Sequence, residues 1–214
     1  MNVIFDEDLA GIPVRDNGEK LVSIKKVCPG VVIRPSPIVK RFMKARVCLL
    51  REGAARRLLK AQQSLPDGYK LVLMSCYRSQ SLQRKLFGYV FRKIKRDHPG
   101  WSRVRDTREA KKFAAPVMEG VTPPHSTGGA VDITVLGPDG KKLDMGTRPD
   151  SIGNRSFTSS KKIPAKARKN RKVLIKAMEG AGFVNYPLEW WHWSYGDRYW
   201  AAVKKKRHAI YGVV

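Results

Sequence analysis

Acidic side chains are scarce: 18 Asp and Glu stand against 43 Lys and Arg in 214 residues, a formal net charge of +25. The cations cluster, with eleven between Arg84 and Lys112, eight between Lys161 and Lys176, and Lys204-Lys205-Lys206-Arg207 near the end. Such a surface attracts polyanions through counterion release without selecting among them. No RNA-binding aromatic signature, zinc-finger spacing or glycine-rich phosphate loop accompanies it, so no specific nucleic-acid partner is expected. The charge reads as a generally cationic, solvated surface open to non-specific polyanion binding.

Long apolar runs are also missing. None approaches the roughly 18 residues of a membrane span, so no membrane partner is expected. Asp6, Glu7 and Asp8 lie where an export signal would need a basic and then an apolar stretch. Cysteine is sparse: Cys28, Cys48 and Cys76 have no zinc-ligand spacing, so buried reduced thiols are expected. Both features point to the bacterial cytoplasm. A hydrophobic content of 42% suits one globular domain over residues 1–214, with residues 1–45 poorly patterned and 201–214 a basic tail. Nothing in the sequence indicates an oligomeric state.

The periodicities alternate between helix and strand. Val31-Val32-Ile33 reads as a short strand, and Val47 to Gln63 as an amphipathic helix. Pro66-Asp67-Gly68 is a turn before a core strand at Leu71 to Ser75. A second helix is predicted over 79–96, a short one over Thr107–Phe113, and a third over Lys169–Ala181 ending at Gly182. Gly137-Pro138-Asp139-Gly140 is a hairpin turn, and Gly153 to Ile163 a polar loop expected to be mobile. The fold class is therefore α+β, a central antiparallel sheet with flanking helices.

Two stretches carry the chemistry. Pro124-His125-Ser126-Thr127-Gly128-Gly129-Ala130-Val131-Asp132 opens as a loop and closes as a β-branched strand, which brings a histidine and a carboxylate toward one point. The glycine pair allows close backbone approach. Alone, this segment fits an ordinary loop with a surface histidine equally well. Leu188-Glu189-Trp190-Trp191-His192-Trp193-Ser194-Tyr195 reads as a strand, on which strict alternation separates Glu189 from His192. The two converge only if Glu189 lies on a bend entering the strand, which Pro187 favours. Core packing accounts for the tryptophans but not for a carboxylate among them. Two histidines, one carboxylate and a further unligated glutamate make a catalytic zinc site with one position left for water. The glutamate would then be the base.

His125-Ser126-x-Gly128-x-Ala130-x-Asp132 and the later Glu189-Trp190-Trp191-His192 resemble the two signatures of the zinc D-alanyl-D-alanine dipeptidases. Tyr77-Arg78 upstream and Met145-Gly146-Thr147-Arg148-Pro149-Asp150 between the signatures extend the match over roughly residues 45 to 200. The resemblance implies a hedgehog or D,D-peptidase-like fold and one zinc ion per chain, held by His125, Asp132 and His192. It implies Glu189 as catalytic base, Arg78 as oxyanion donor, and Asp150 facing the substrate ammonium, with Ser126 and Tyr77 as further substrate contacts. The substrate would be a small dipeptide, D-Ala-D-Ala, linked to peptidoglycan precursor metabolism and glycopeptide resistance. The alternatives are a D,D-carboxypeptidase or cell-wall endopeptidase with the same site, and a non-catalytic or polyanion- or nucleic-acid-binding protein on the same fold. Cys76 and Ser79 flank Tyr77-Arg78 where relatives often carry glycine and proline, and Pro123 stands where these dipeptidases usually carry serine.

Overall fold

The run Ala130–Leu136 is buried at every position. Its side chains alternate between two covered faces: Val131, Ile133 and Val135 lie in the hydrophobic core, and Asp132 points to the opposite face. The computed structural model describes residues 4, 6–42, 48–118 and 122–214. In chain order these form α1 (Asp6–Leu9), β1 (Leu21–Ser23), α2 (Ile24–Val27), β2 (Val32–Ile33), α3 (Pro37–Phe42), β3 (Leu49–Arg51) and α4 (Glu52–Gln63). There follow β4 (Lys70–Ser75), α5 (Gln80–Asp97), α6 (Arg103–Lys111), β5 (Ala130–Leu136), α7 (Ala165–Gly180), β6 (Val184–Asn185), β7 (His192–Ser194) and α8 (Arg198–Val203). A 3-10 turn at Pro124–Thr127 precedes β5.

The main sheet has the order β2-β4-β5-β7-β6, antiparallel except where β2 joins β4 in parallel at one edge. This is the expected α+β architecture, with one parallel edge strand added. β1 and β3 form a separate antiparallel pair. Val131, Ile133 and Val135 of β5 share the main core with Leu71 and Leu73 of β4 and with Trp193 of β7. Ala54, Leu58 and Ala61 of α4 and Leu174, Ala177 and Met178 of α7 join the same core, and the two helices pack on each other.

The other face of the three inner strands carries the polar row. Leu73 pairs with Ile133, but a register shift then sets Ser75, rather than Met74, opposite Asp132. A one-residue bulge turns the following side chain to the other face of a strand, so this irregularity brings Ser75 onto the face of Asp132. Asp132 pairs in turn with His192 of β7. Ser75, Asp132 and His192 thus form a row across three strands. The glycine pair before β5 permits the approach: Gly128 has φ +75°, and a Cβ on Gly129 would lie 2.1 Å from the Tyr195 carbonyl oxygen.

Several sequence expectations need correction. The helix expected from Val47 begins only at Glu52; Val47 lies outside the described residues, and Leu49–Arg51 is a strand because its backbone pairs with β1. α6 starts at Arg103, since the Ser102 hydroxyl accepts the Arg105 N–H at 3.3 Å and caps it. α7 starts at Ala165, right after Pro164. The polar loop from Gly153 to Ile163 has Ser156 and Ile163 buried, and its Arg155 and Phe157 carbonyls accept from Arg171. The basic tail folds back: Ala209 bridges to Val14, and the fully buried Tyr211 donates its hydroxyl to Glu19 at 2.6 Å.

The cysteine expectation also fails. Cys48 and Cys76 form a disulfide with a Cα–Cα distance of 5.9 Å, and Cys28 alone is a free, buried thiol. The Tyr77 N–H donates to the Leu49 carbonyl at 3.1 Å, which sets the two preceding residues side by side. A separation of 28 residues carries no sign of this. The pair removes the thiol half of the argument for a reducing compartment. Among the described residues no helix is long and apolar enough to cross a membrane.

Candidate active site

His125 enters from the 3-10 turn, Asp132 from β5 and His192 from the first residue of β7. All three are buried, and one ligand atom from each lies within 4.8 Å of the others. The His125 Nδ1–H donates to the Cys76 carbonyl at 2.9 Å, which leaves Nε2 unprotonated and aimed inward. His125 Nε2 stands 3.2 Å from His192 Nδ1 and 3.3 Å from Asp132 Oδ1, while His192 Nδ1 stands 3.1 Å from the same oxygen. Ligands about 2.0 to 2.1 Å from a tetrahedral zinc are roughly 3.3 Å apart, so the donor triangle fits that ion in size and in chemistry. Burial, helped by the Arg78 charge, pulls His125 down to about 4 and keeps the ring in its ligating, neutral form. Burial alone would raise Asp132, but the Arg78 guanidinium bonded to it holds its carboxyl well below the usual range.

Arg78 follows β4 and is itself buried. Its Nη2 donates to Asp132 Oδ2 at 2.5 Å, its Nε to Ser75 Oγ at 2.8 Å and its Nη1 to Gln83 Oε1 at 3.5 Å. Its backbone N–H bonds the His125 carbonyl at 3.1 Å, which locks the two loops together. A buried pair of this kind contributes little net stability but fixes a geometry.

Glu189 lies on the bend before β7 and not on the strand. The His192 N–H donates to the Glu189 carbonyl at 3.1 Å, and this tight turn overcomes the alternation that would have parted the two side chains. The Glu189 carboxylate is 8% exposed and has no hydrogen-bond partner among the described residues. Burial first, then the charges of Asp132 and Asp150, raise its pKa well above the ordinary carboxylate value. Asp150 sits in the left-handed region at φ +61°, unusual for a residue other than glycine. Burial and the Asp132 charge raise it as well.

A cavity of about 280 Å³ has all six of these side chains in its wall: Arg78, His125, Asp132, Asp150, Glu189 and His192. Leu86, Tyr89 and Val90 of α5 and Phe113 beyond α6 give it an apolar side. Tyr77 and Ser126 are not brought to it. The Tyr77 hydroxyl donates to the Val214 carbonyl at 3.2 Å, and Ser126 is fully buried with its carbonyl accepting the Val214 N–H at 3.0 Å. Sequence reasoning missed Ser75, Gln83 and the Cys76 carbonyl, which orient Arg78 and His125. Gln83 left one sign, a polar residue inside the apolar stripe of α5, where it is 2% exposed; the other two left none.

Comparison with known proteins identifies the family. A family model described as D-Ala-D-Ala dipeptidase, peptidase family M15, matches residues 19–210. A D-alanyl-D-alanine dipeptidase of Synechocystis is 31% identical, over 92% of this chain and 90% of its own. One from Escherichia coli is 33% identical over 72% of this chain and 69% of its own. A Zn(II) complex of the vancomycin-resistance D,D-pentapeptidase VanY superposes with a TM-score of 0.48 at 16% identity, covering 84% of this chain and 94% of that one. By the extent of the family match and the length shared with its relatives, the chain belongs to the M15 family of D-Ala-D-Ala dipeptidases and is a zinc metallopeptidase.

Proposed function

We propose that this protein hydrolyses the peptide bond of free D-Ala-D-Ala, with one zinc ion held by His125, Asp132 and His192. One observation carries the reading: the zinc-sized donor triangle, a buried glutamate and a second, half-buried acid, Asp150, share one cavity wall. When bound, zinc supplies Lewis acidity toward a carbonyl and makes water a stronger acid.

The protein's own groups do the rest. The Glu189 carboxylate takes the proton of the attacking water and passes it to the leaving amine; burial and the Asp132 and Asp150 charges raise its pKa, which makes it a stronger base than an ordinary carboxylate. Arg78, oriented by Ser75 and Gln83, donates to the carbonyl oxygen as negative charge develops there. Asp150 pairs with the substrate ammonium. An anion at that end of the cavity favours a short peptide with a free amino terminus over a long chain that presents an amide instead. Ser126 and Tyr77 act behind the cavity, through the Val214 backbone, and not on substrate. Consumption of D-Ala-D-Ala links the protein to peptidoglycan precursor metabolism and to resistance against glycopeptides that bind this dipeptide terminus.

Release of alanine from free D-Ala-D-Ala and from a pentapeptide stem, measured side by side on the zinc-loaded protein, tests the reading. Preference for the dipeptide is expected. Faster release from the pentapeptide would make the protein a D,D-carboxypeptidase with the same centre.

A further inference from the structure

Arg171 of α7 is 2% exposed, and among the described residues no carboxylate forms an ion pair with it. Its guanidinium donates to main-chain carbonyls instead: Nε to Met145 at 2.9 Å, Nη1 to Phe157 at 2.5 Å and Thr158 at 3.3 Å, and Nη2 to Arg155 at 2.9 Å. Burial lowers its pKa to about 10, opposed by the charge of Asp144, so it remains a cation at neutral pH. A buried charge without a counter-charge beside it is costly, and here its donors are satisfied only while these carbonyls stay where they are.

The four carbonyls come from the two ends of one irregular segment, residues 145–158, and Asp150 lies between them in its left-handed conformation. Trp190 closes the arrangement from the other side. Its ring lies 5.6 Å from the guanidinium carbon, its Nε1–H donates to Thr147 Oγ1 at 2.9 Å and its backbone N–H to the Ser156 carbonyl at 3.1 Å. Trp190 is also the residue after Glu189, so one cation is tied through the backbone to both acids of the cavity that hold no metal.

We infer that Arg171 is a positioning residue for substrate selection: it clamps both ends of the 145–158 segment so that Asp150 meets the primary ammonium of a free dipeptide at a fixed place beside Glu189. The inference rests on the ammonium reading of Asp150.

The test compares Arg171→Lys, Asp150→Asn and the double variant as zinc-loaded proteins, by zinc content and by kcat and KM on D-Ala-D-Ala. Lysine keeps the charge but cannot reach all four carbonyls. Full zinc content is expected in Arg171→Lys, with KM raised about tenfold or more and kcat within about twofold. The double variant should be no worse than Asp150→Asn, because both changes act through one carboxylate. Multiplying losses in the double variant, or a zinc loss that tracks the activity loss, would overturn the inference. So would an unchanged KM in Arg171→Lys beside a raised KM in Asp150→Asn. If Asp150→Asn itself leaves KM unchanged, the ammonium reading fails and the selection role of Arg171 falls with it. Should Arg171→Lys not fold, Thr147→Val, which removes the hydroxyl holding the segment to Trp190, is expected to raise KM with zinc retained; an unchanged KM there contradicts the clamp.

Discussion

Asp132 divides its carboxylate between two neighbours, holding Arg78 with Oδ2 at 2.5 Å and turning Oδ1 toward the two histidines. The cation and the metal site are therefore built on one side chain. Arg78→Lys separates their contributions: the charge stays, but the planar fork that also reaches Ser75 and Gln83 is lost. Turnover should fall by about 10² to 10³, the usual cost of a misplaced oxyanion donor, with zinc content unchanged. Parallel loss of zinc and activity would show that Arg78 serves Asp132 and not the reaction.

His125→Ala, Asp132→Ala and His192→Ala should each abolish activity and sharply reduce zinc content, because each removes one corner of the donor triangle. Metal analysis after gel filtration checks this. Full zinc occupancy in the His192→Ala protein would show that His192 is not a ligand.

Glu189→Gln keeps the side-chain shape and removes the proton acceptor. Zinc should remain at one per chain while kcat drops by orders of magnitude. The variant should also be as stable as the parent or more so, since a buried, unpartnered carboxylate with a raised pKa opposes folding when ionised. Thermal melts at neutral pH measure that second effect. A destabilised variant would mean that the carboxylate has a structural partner.

Acid should loosen the fold from the side behind the site. Burial would raise Asp16 and Glu19, but bonds from Gly18, Gly212 and Arg51 to the first, and from Tyr211, Gly53 and Asn17 to the second, outweigh it and hold both low. Groups lowered by folding contribute stability above their ordinary values, 3.8 and 4.5, and lose it as pH falls through the folded values. Arg51 carries the effect inward, because its Nε donates to the Thr127 carbonyl at 3.1 Å, in the turn that bears His125. Glu19→Gln should lower stability by about 1 kcal/mol at neutral pH and flatten the acid limb of the melting curve below the ordinary value of 4.5. An acid limb identical to the parent's would refute a contribution of Glu19 to the acid sensitivity.

Much of this was legible because the site is built from local signatures. Gly128-Gly129 before a β-branched run indicates a loop turning sharply into a strand, and the loop and strand carry His125 and Asp132. Pro187 before Glu189 gave the bend that brings Glu189 back beside His192. The features that stayed hidden depend on register and on distant backbone. Ser75 meets Asp132 only through a bulge, which a strand read by alternation does not contain. Cys48 meets Cys76 only because Leu49 and Tyr77 exchange a backbone bond. Arg171 looked like one more cation on a basic helix, because its partners are carbonyls and carbonyls leave no trace in a sequence.

Titration of the metal-free protein with zinc, following alanine release from D-Ala-D-Ala, tests the central claim most directly. Activity should be absent before addition, rise linearly and level off at one zinc per chain, and remain absent at the same occupancy in Glu189→Gln. Alanine release that persists undiminished without zinc, or a fully loaded wild-type protein that releases none, would contradict it.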